Sequence, residues 1–151
     1  MDAKTYLGQI RRLEVIIKQN RQQLAEIRAV AEYHSPVALG ENVQTSPKGD
    51  GLASAVAAII AAEERLAFDT AQLVVLRTEI VATIQSLPNP VHVDLLYRRY
   101  VLFQPWEQIA RAMNYSKDSV RGRIQRAALA AVENILAKKQ SEHTMPHFPV
   151  A

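Results

Sequence analysis

The residues with the most legible chemistry lie between Ser116 and Gln125, in the run SKDSVRGRIQ. On a helix that starts after Ser116, residues Ser116, Lys117, Asp118, Arg121, Gly122 and Gln125 face away from the apolar Val120 and Ile124. That outward set suits the reading of base edges in a DNA major groove. The guanidinium of Arg121 can place two donors on O6 and N7 of guanine, and the Gln125 amide can pair with N6 and N7 of adenine. Gly122 is unfavourable mid-helix by about 1 kcal/mol relative to alanine. Either a close approach to DNA or close helix packing would account for it. Arg98, Arg99, Arg111, Arg123 and Arg126 are placed for phosphates, contacts that position a protein on a duplex without specifying sequence. The implied chemistry is recognition, with no covalent bond made or broken.

Nothing else in the chain suggests catalysis. There is no nucleophile–base pairing and no glycine-rich phosphate loop, so a non-enzyme without cofactor is expected. The chain has no cysteine, which excludes disulfides and thiolate metal sites. His143 and His147 are four apart, but Pro146 between them argues against a helix that presents both to one ion, and no metal site is assigned. Glu63 and Glu64 are adjacent on a helix and point in different directions. No apolar run reaches the ~18 residues needed to span a bilayer, and MDAKTYLGQIRRLE lacks the apolar stretch of a secretory signal. These features imply a cytoplasmic protein with no membrane partner.

Three helices must position the recognition residues. The first is expected from about His92 to Leu102, with Leu95, Leu96, Tyr100 and Val101 inward. The second begins with Pro105 at the first helical position, where its missing N–H costs nothing, and buries Trp106, Ile109, Ala110 and Met113. The third starts after the N-cap Ser116 and continues inward through Val120, Ile124, Ala127 and Leu129 towards Leu136. Between the last two helices, Ala110 is small where they cross, and Asn114 follows four residues later. The chain must turn sharply there through a left-handed conformation, which asparagine tolerates better than any residue but glycine. A tight helix pair of this kind projects its second member into a major groove.

The preceding ninety residues imply a different element. From Lys4 to Glu32 the apolar residues keep a 3–4 alternation through Tyr6, Ile10, Leu13, Ile17, Leu24, Ile27 and Ala31, with Asn20 the one polar residue on the seam. A stretch rich in Pro, Gly and polar residues, Tyr33 to Gly51, reads as a flexible loop. A second periodic stretch runs from Leu52 to Leu87. Its seam is Leu52, Val56, Ile59, Glu63, Leu66, Thr70, Leu73, Arg77, Ile80, Ile84 and Leu87, and Pro88-Asn89-Pro90 ends it. The expected architecture is therefore all-α: an antiparallel, coiled-coil-like hairpin over 1–90 and a helix-turn-helix domain over 91–138. A disordered tail is expected over 139–151. Val15, Ile16, Val30, Ile60, Phe68, Val74, Val75 and Val81 lie off the seams, more apolar surface than one partner helix covers. Packing of the C-terminal domain or self-association into a four-helix dimer would cover it.

Charge follows the same division. The chain carries a net +3, with Met1–Pro90 at −1 and Val91–Ala151 at +4. The basic excess sits at the end expected to meet phosphates.

The segment from the apolar helix ending Tyr97-Arg98-Arg99-Tyr100, through WEQIARAMNYS, to SVRGRIQRAALAAV resembles region four of bacterial sigma factors, the module that reads the −35 promoter element. It is most similar to the short extracytoplasmic-function type. The resemblance places Lys117, Arg121 and Gln125 at base-reading positions and Arg126 near phosphate, with Asn114 standing where the family carries glycine. From about Lys4 to Leu136 the chain resembles small phage and prophage proteins with a YLxQIRRLE-like first helix, a V-x-x-S-P-type loop at Val43–Pro47, a second long helix and this module. That resemblance implies a phage-encoded transcription regulator, and the leading reading is a sequence-specific double-stranded DNA-binding regulator that is dimeric through its hairpin or recruited to RNA polymerase. Nothing resembles the sigma region that melts promoters. Two other readings fit the same pattern: the small DNA-recognition subunit of a phage packaging terminase, and an adaptor whose helix-turn-helix touches polymerase in place of DNA. A dimer favours regulation, a ring of eight or more subunits favours packaging, and failure to bind any duplex favours the adaptor.

Overall fold

The computed structural model describes residues 1–33 and 46–144, and every regular element among them is helical. The core of the expected loop, 34–45, and the tail beyond Thr144, with His147, lie outside the described residues. A short α1 (Ala3–Leu7) is capped by the Asp2 carboxylate, which accepts from the Thr5 amide at 2.7 Å. It is followed by α2 (Gln9–Tyr33) and by α3 (Ser46–Gln85). Next come α4 (Pro90–Leu96), running on as a π-helical turn over Tyr97–Val101, and α5 (Trp106–Met113). The third helix of the C-terminal set begins as α6 (Lys117–Ser119), passes through a second π-helical turn over Val120–Ile124, and continues as α7 (Gln125–Thr144). Among the described residues no helix is long and apolar enough to cross a membrane.

Several boundaries differ from those the sequence implies. Helix α3 begins at Ser46, inside the segment read as loop. Pro47 falls in its first turn, where the missing N–H belongs to a group with no intrahelical partner anyway. Pro105 is the N-cap of α5, with extended backbone (φ −68°, ψ 153°), and Trp106 is the first helical residue. The last helix runs to Thr144, past the expected boundary at Lys138. The chain also divides elsewhere: one compact unit comprises Arg12–Val74, and the other joins Met1–Arg11 to the chain from Val75 onward.

In the Arg12–Val74 unit, α2 and α3 run antiparallel, since Asn20 pairs with Asp69 and Arg28 with Glu63. The seam expected on α2 faces inward throughout, with Ile17 and Leu24 buried and Leu13, Asn20, Ile27 and Ala31 half-buried. On α3 the phase differs. Its inward positions within this unit are Leu52, Ala55, Ile59, Ala62, Leu66, Asp69 and Leu73, an unbroken 3–4 alternation, and the inward Leu76, Ile80 and Thr83 further along α3 belong to the other unit. Val56, Glu63 and Arg77 are exposed, while Thr70 and Ile84 flank the seam. Two of the three polar residues that interrupted the expected seam therefore lie off it. Val15, Val30, Val56, Ile60 and Phe68 of this unit are solvent-exposed.

The other unit holds most of the fully buried side chains, including Leu7, Ile10, Ile80, Ile84, Leu95, Leu96, Ile109, Val120 and Val132. Each aliphatic group of that size contributes roughly 1.5–3 kcal/mol on burial. Helix α7 packs on both α4 and α1, so the first residues of the chain belong to the same core as the last helix. A polar node ties these elements together at Thr83, which is 2% exposed. Its single hydroxyl proton goes to the Glu79 carbonyl at 3.1 Å. The lone pairs then accept from Tyr6 Oη at 3.0 Å and Lys139 Nζ at 3.2 Å. Burial raises the Tyr6 pKa above the ordinary tyrosine value, which keeps its donating proton in place.

Asp69 is the buried polar residue of the antiparallel pair, and Asn20 Nδ2 donates to its Oδ2 at 2.8 Å, with Arg65 3.7 Å away on the same helix. Removing one partner of a buried hydrogen bond costs the desolvation of the other, about 1–3 kcal/mol. Asn20→Leu should therefore destabilise the protein by that amount in urea melts, and Asn20→Leu with Asp69→Leu should recover most of the loss. A double variant as unstable as the single one would show that the pair is not what holds this register.

Candidate nucleic-acid interface

The turn between α5 and α6 is built from backbone constraints. Ile109 and Ala110 are buried on one side of it and Val120 and Ile124 on the other, so the chain must reverse within a few residues while both helices stay in the core. Asn114 does this with φ 60° and ψ 40°, the left-handed region. The amide of Tyr115 then reaches back to the Ala110 carbonyl at 3.1 Å, closing the wide turn of a Schellman-type helix end. Ser116 caps the next helix: its Oγ accepts from the Ser119 amide at 3.1 Å and donates to Ser119 Oγ at 2.7 Å. Lys117 Nζ crosses the turn to Glu107 Oε1 at 3.2 Å, joining the first turns of the two helices.

The six residues expected at bases differ in their surroundings. Asp118 and Arg121 are exposed and have no partner among the described residues. Lys117 is exposed but paired with Glu107, and the Ser116 hydroxyl is engaged in its cap. Gln125 is half-buried and donates from Nε2 to Tyr100 Oη at 3.0 Å, so its amide is committed within the protein. A Cβ added at Gly122 would meet nothing within 4 Å. Close packing inside the chain is therefore not the reason for glycine at that position.

No protein family, curated protein or solved structure was found to match this chain. The residues themselves carry the functional argument.

The five arginines expected at phosphates fall into two groups. Arg111, Arg123 and Arg126 are exposed and unpaired among the described residues. Arg98 is held by Asp94 at 2.8 Å and directed to Gln104 Oε1 at 3.4 Å. Arg99 donates to the Gln104 carbonyl at 3.0 Å and lies over the Trp106 ring, 4.5 Å from its centroid. Both brace the loop between α4 and α5. Sequence reasoning missed the partners Tyr100, Gln104 and Glu107, which meet their glutamine, arginines or lysine only once the chain is folded, and also Asp94, whose i,i+4 spacing to Arg98 on one helix is a legible signal. It also missed Phe103, which takes φ 56° without being glycine or asparagine, a conformation that costs a bulky residue on the order of 1–3 kcal/mol. Among the described residues no three His, Asp or Glu side chains converge to hold a metal ion.

The left-handed backbone at Asn114 has a direct test. Asn114→Gly should be neutral or slightly stabilising, while Asn114→Val should lower stability by about 1–3 kcal/mol, since a β-branched side chain resists positive φ. Thermal melts of the two variants should separate clearly; equal melting temperatures would contradict the turn.

Proposed function

We propose that this protein is a sequence-specific double-stranded DNA-binding regulator of transcription, and that residues Lys117–Arg126 enter the major groove as the recognition helix of a helix-turn-helix. The observation that carries the reading is the outward face of that segment. Among the described residues Arg121 and Asp118 stand exposed and unpaired, beside a glycine that none of those residues crowds. Gly122 leaves room for a groove wall to approach the helix backbone. Arg111, Arg123 and Arg126 supply phosphate contacts around it. Lys117 can join them, because an exposed pair such as Lys117–Glu107 is worth no more than about 1 kcal/mol and is easily exchanged for a phosphate.

Gln125 is a weaker candidate for base reading than Arg121, given its bond to Tyr100. Arg98 and Arg99 serve this reading as supports of the α4–α5 loop rather than as phosphate ligands. The resemblance to sigma region four supports transcription as the process and RNA polymerase as a partner. The exposed Val56, Ile60 and Phe68 on α3 support self-association through the Arg12–Val74 unit.

Duplexes selected from a random library, titrated beside unselected ones at several salt concentrations, test the proposal. Arg121→Ala should cost ~1–3 kcal/mol on the selected site and flatten preference at one base pair. Arg126→Ala should weaken all duplexes equally and reduce the salt slope by about 1. Unchanged affinity and preference in Arg121→Ala would remove the third helix from the groove.

A further inference from the structure

We propose that Arg11, at the start of α2, is a further DNA phosphate contact, held in place by the ring of Phe103. The inference deepens the DNA-binding reading and rests on it. Arg11 belongs to the same compact unit as the C-terminal helices. Its guanidinium carbon lies over the Phe103 ring, 5.4 Å from the centroid, a geometry in which a cation is attracted to the face of the ring. It is exposed and meets no carboxylate among the described residues. Arg98 and Arg99, the other arginines beside this loop, are committed to Asp94 and to Gln104 with Trp106. Arg11 is the cation there that remains available to an outside anion.

Its position follows from a short chain of contacts. Phe103 precedes Trp106, which opens α5, and Glu107 in the first turn of α5 pairs with Lys117 at the head of the recognition helix. Arg11 thus lies beside the loop that leads into α5, and the first turn of α5 is joined to the recognition helix by the Glu107–Lys117 pair. In helix-turn-helix docking, the second helix lies in the groove and the first crosses the sugar–phosphate backbone beside it. A strand passing the start of α5 would meet Arg11. The N-terminal segment would then clamp the duplex backbone while the third helix reads the bases.

The test uses the full chain and the salt dependence of its binding to selected and random duplexes. Arg11→Gln should reduce the slope of log K against log salt by about 0.9, the loss of one phosphate contact, equally on both kinds of duplex and with sequence preference unchanged. Arg11→Lys should retain the slope, which separates charge from packing. In a Phe103→Leu background, which keeps apolar bulk but removes the ring, Arg11→Gln should reduce the slope by less. If the wild-type chain binds duplexes while Arg11→Gln leaves its slope unaltered, the Arg11 contact is wrong and the DNA reading stands. If the wild-type chain binds no duplex at low salt, both fall.

Discussion

The chain reversal at Asn114 governs where the proposed recognition surface points. Ile109 and Ala110 before it, and Val120 and Ile124 after it, are all buried, so neither helix can rotate without exposing apolar surface. The turn must then supply the whole change of direction. It does so through one left-handed residue, a Tyr115 amide returned to Ala110, and a serine cap that starts the next helix immediately. Ala110 is small enough for the helices to approach. With these groups fixed, the side that carries Asp118 and Arg121 is left exposed among the described residues.

Two π-helical turns adjust this frame. In the second, over Val120–Ile124, the wider i→i+5 winding adds residues per turn. That wider turn ends at Ile124, and the buried face continues through Ala128 and Val132 in the regular winding of α7. The first π turn, Tyr97–Val101, brings Tyr100 to Gln125 and sets Arg98 and Arg99 against Gln104. Arginines held within the fold are thereby separated from arginines left outward.

Periodicity made the all-helical class legible, along with the inward face of α2, and local backbone chemistry revealed Asn114 and the Ser116 cap. Those features depend on residues near each other in sequence. What could not be read depends on partners distant in sequence or on residues of ambiguous type. The buried line of α3 runs through Ala55, Ala62, Asp69 and Thr83, and neither alanines nor polar residues announce burial. Asp69 becomes a core residue because Asn20 meets it from the other helix. Ala128 is buried and Ala127 exposed, a choice between two neighbouring alanines that residue type does not signal. The partition of the arginines was hidden because it turns on the shape of a short loop: Arg99 and Arg126 look alike until Trp106 and Gln104 are folded back beside one of them.

The C-terminal excess of basic residues thus resolves into cations spent on the fold and cations left outward, and the account places DNA against the outward set. Amide chemical-shift mapping of the full-length chain during titration with a selected duplex examines this most directly. The largest shifts should fall on Lys117–Arg126 and on the first turn of α5, while the inward seam of α2 from Ile17 to Ala31 stays unmoved. Shifts confined to the helices of the Arg12–Val74 unit, or none at saturating duplex and low salt, would contradict a recognition helix at Lys117–Arg126.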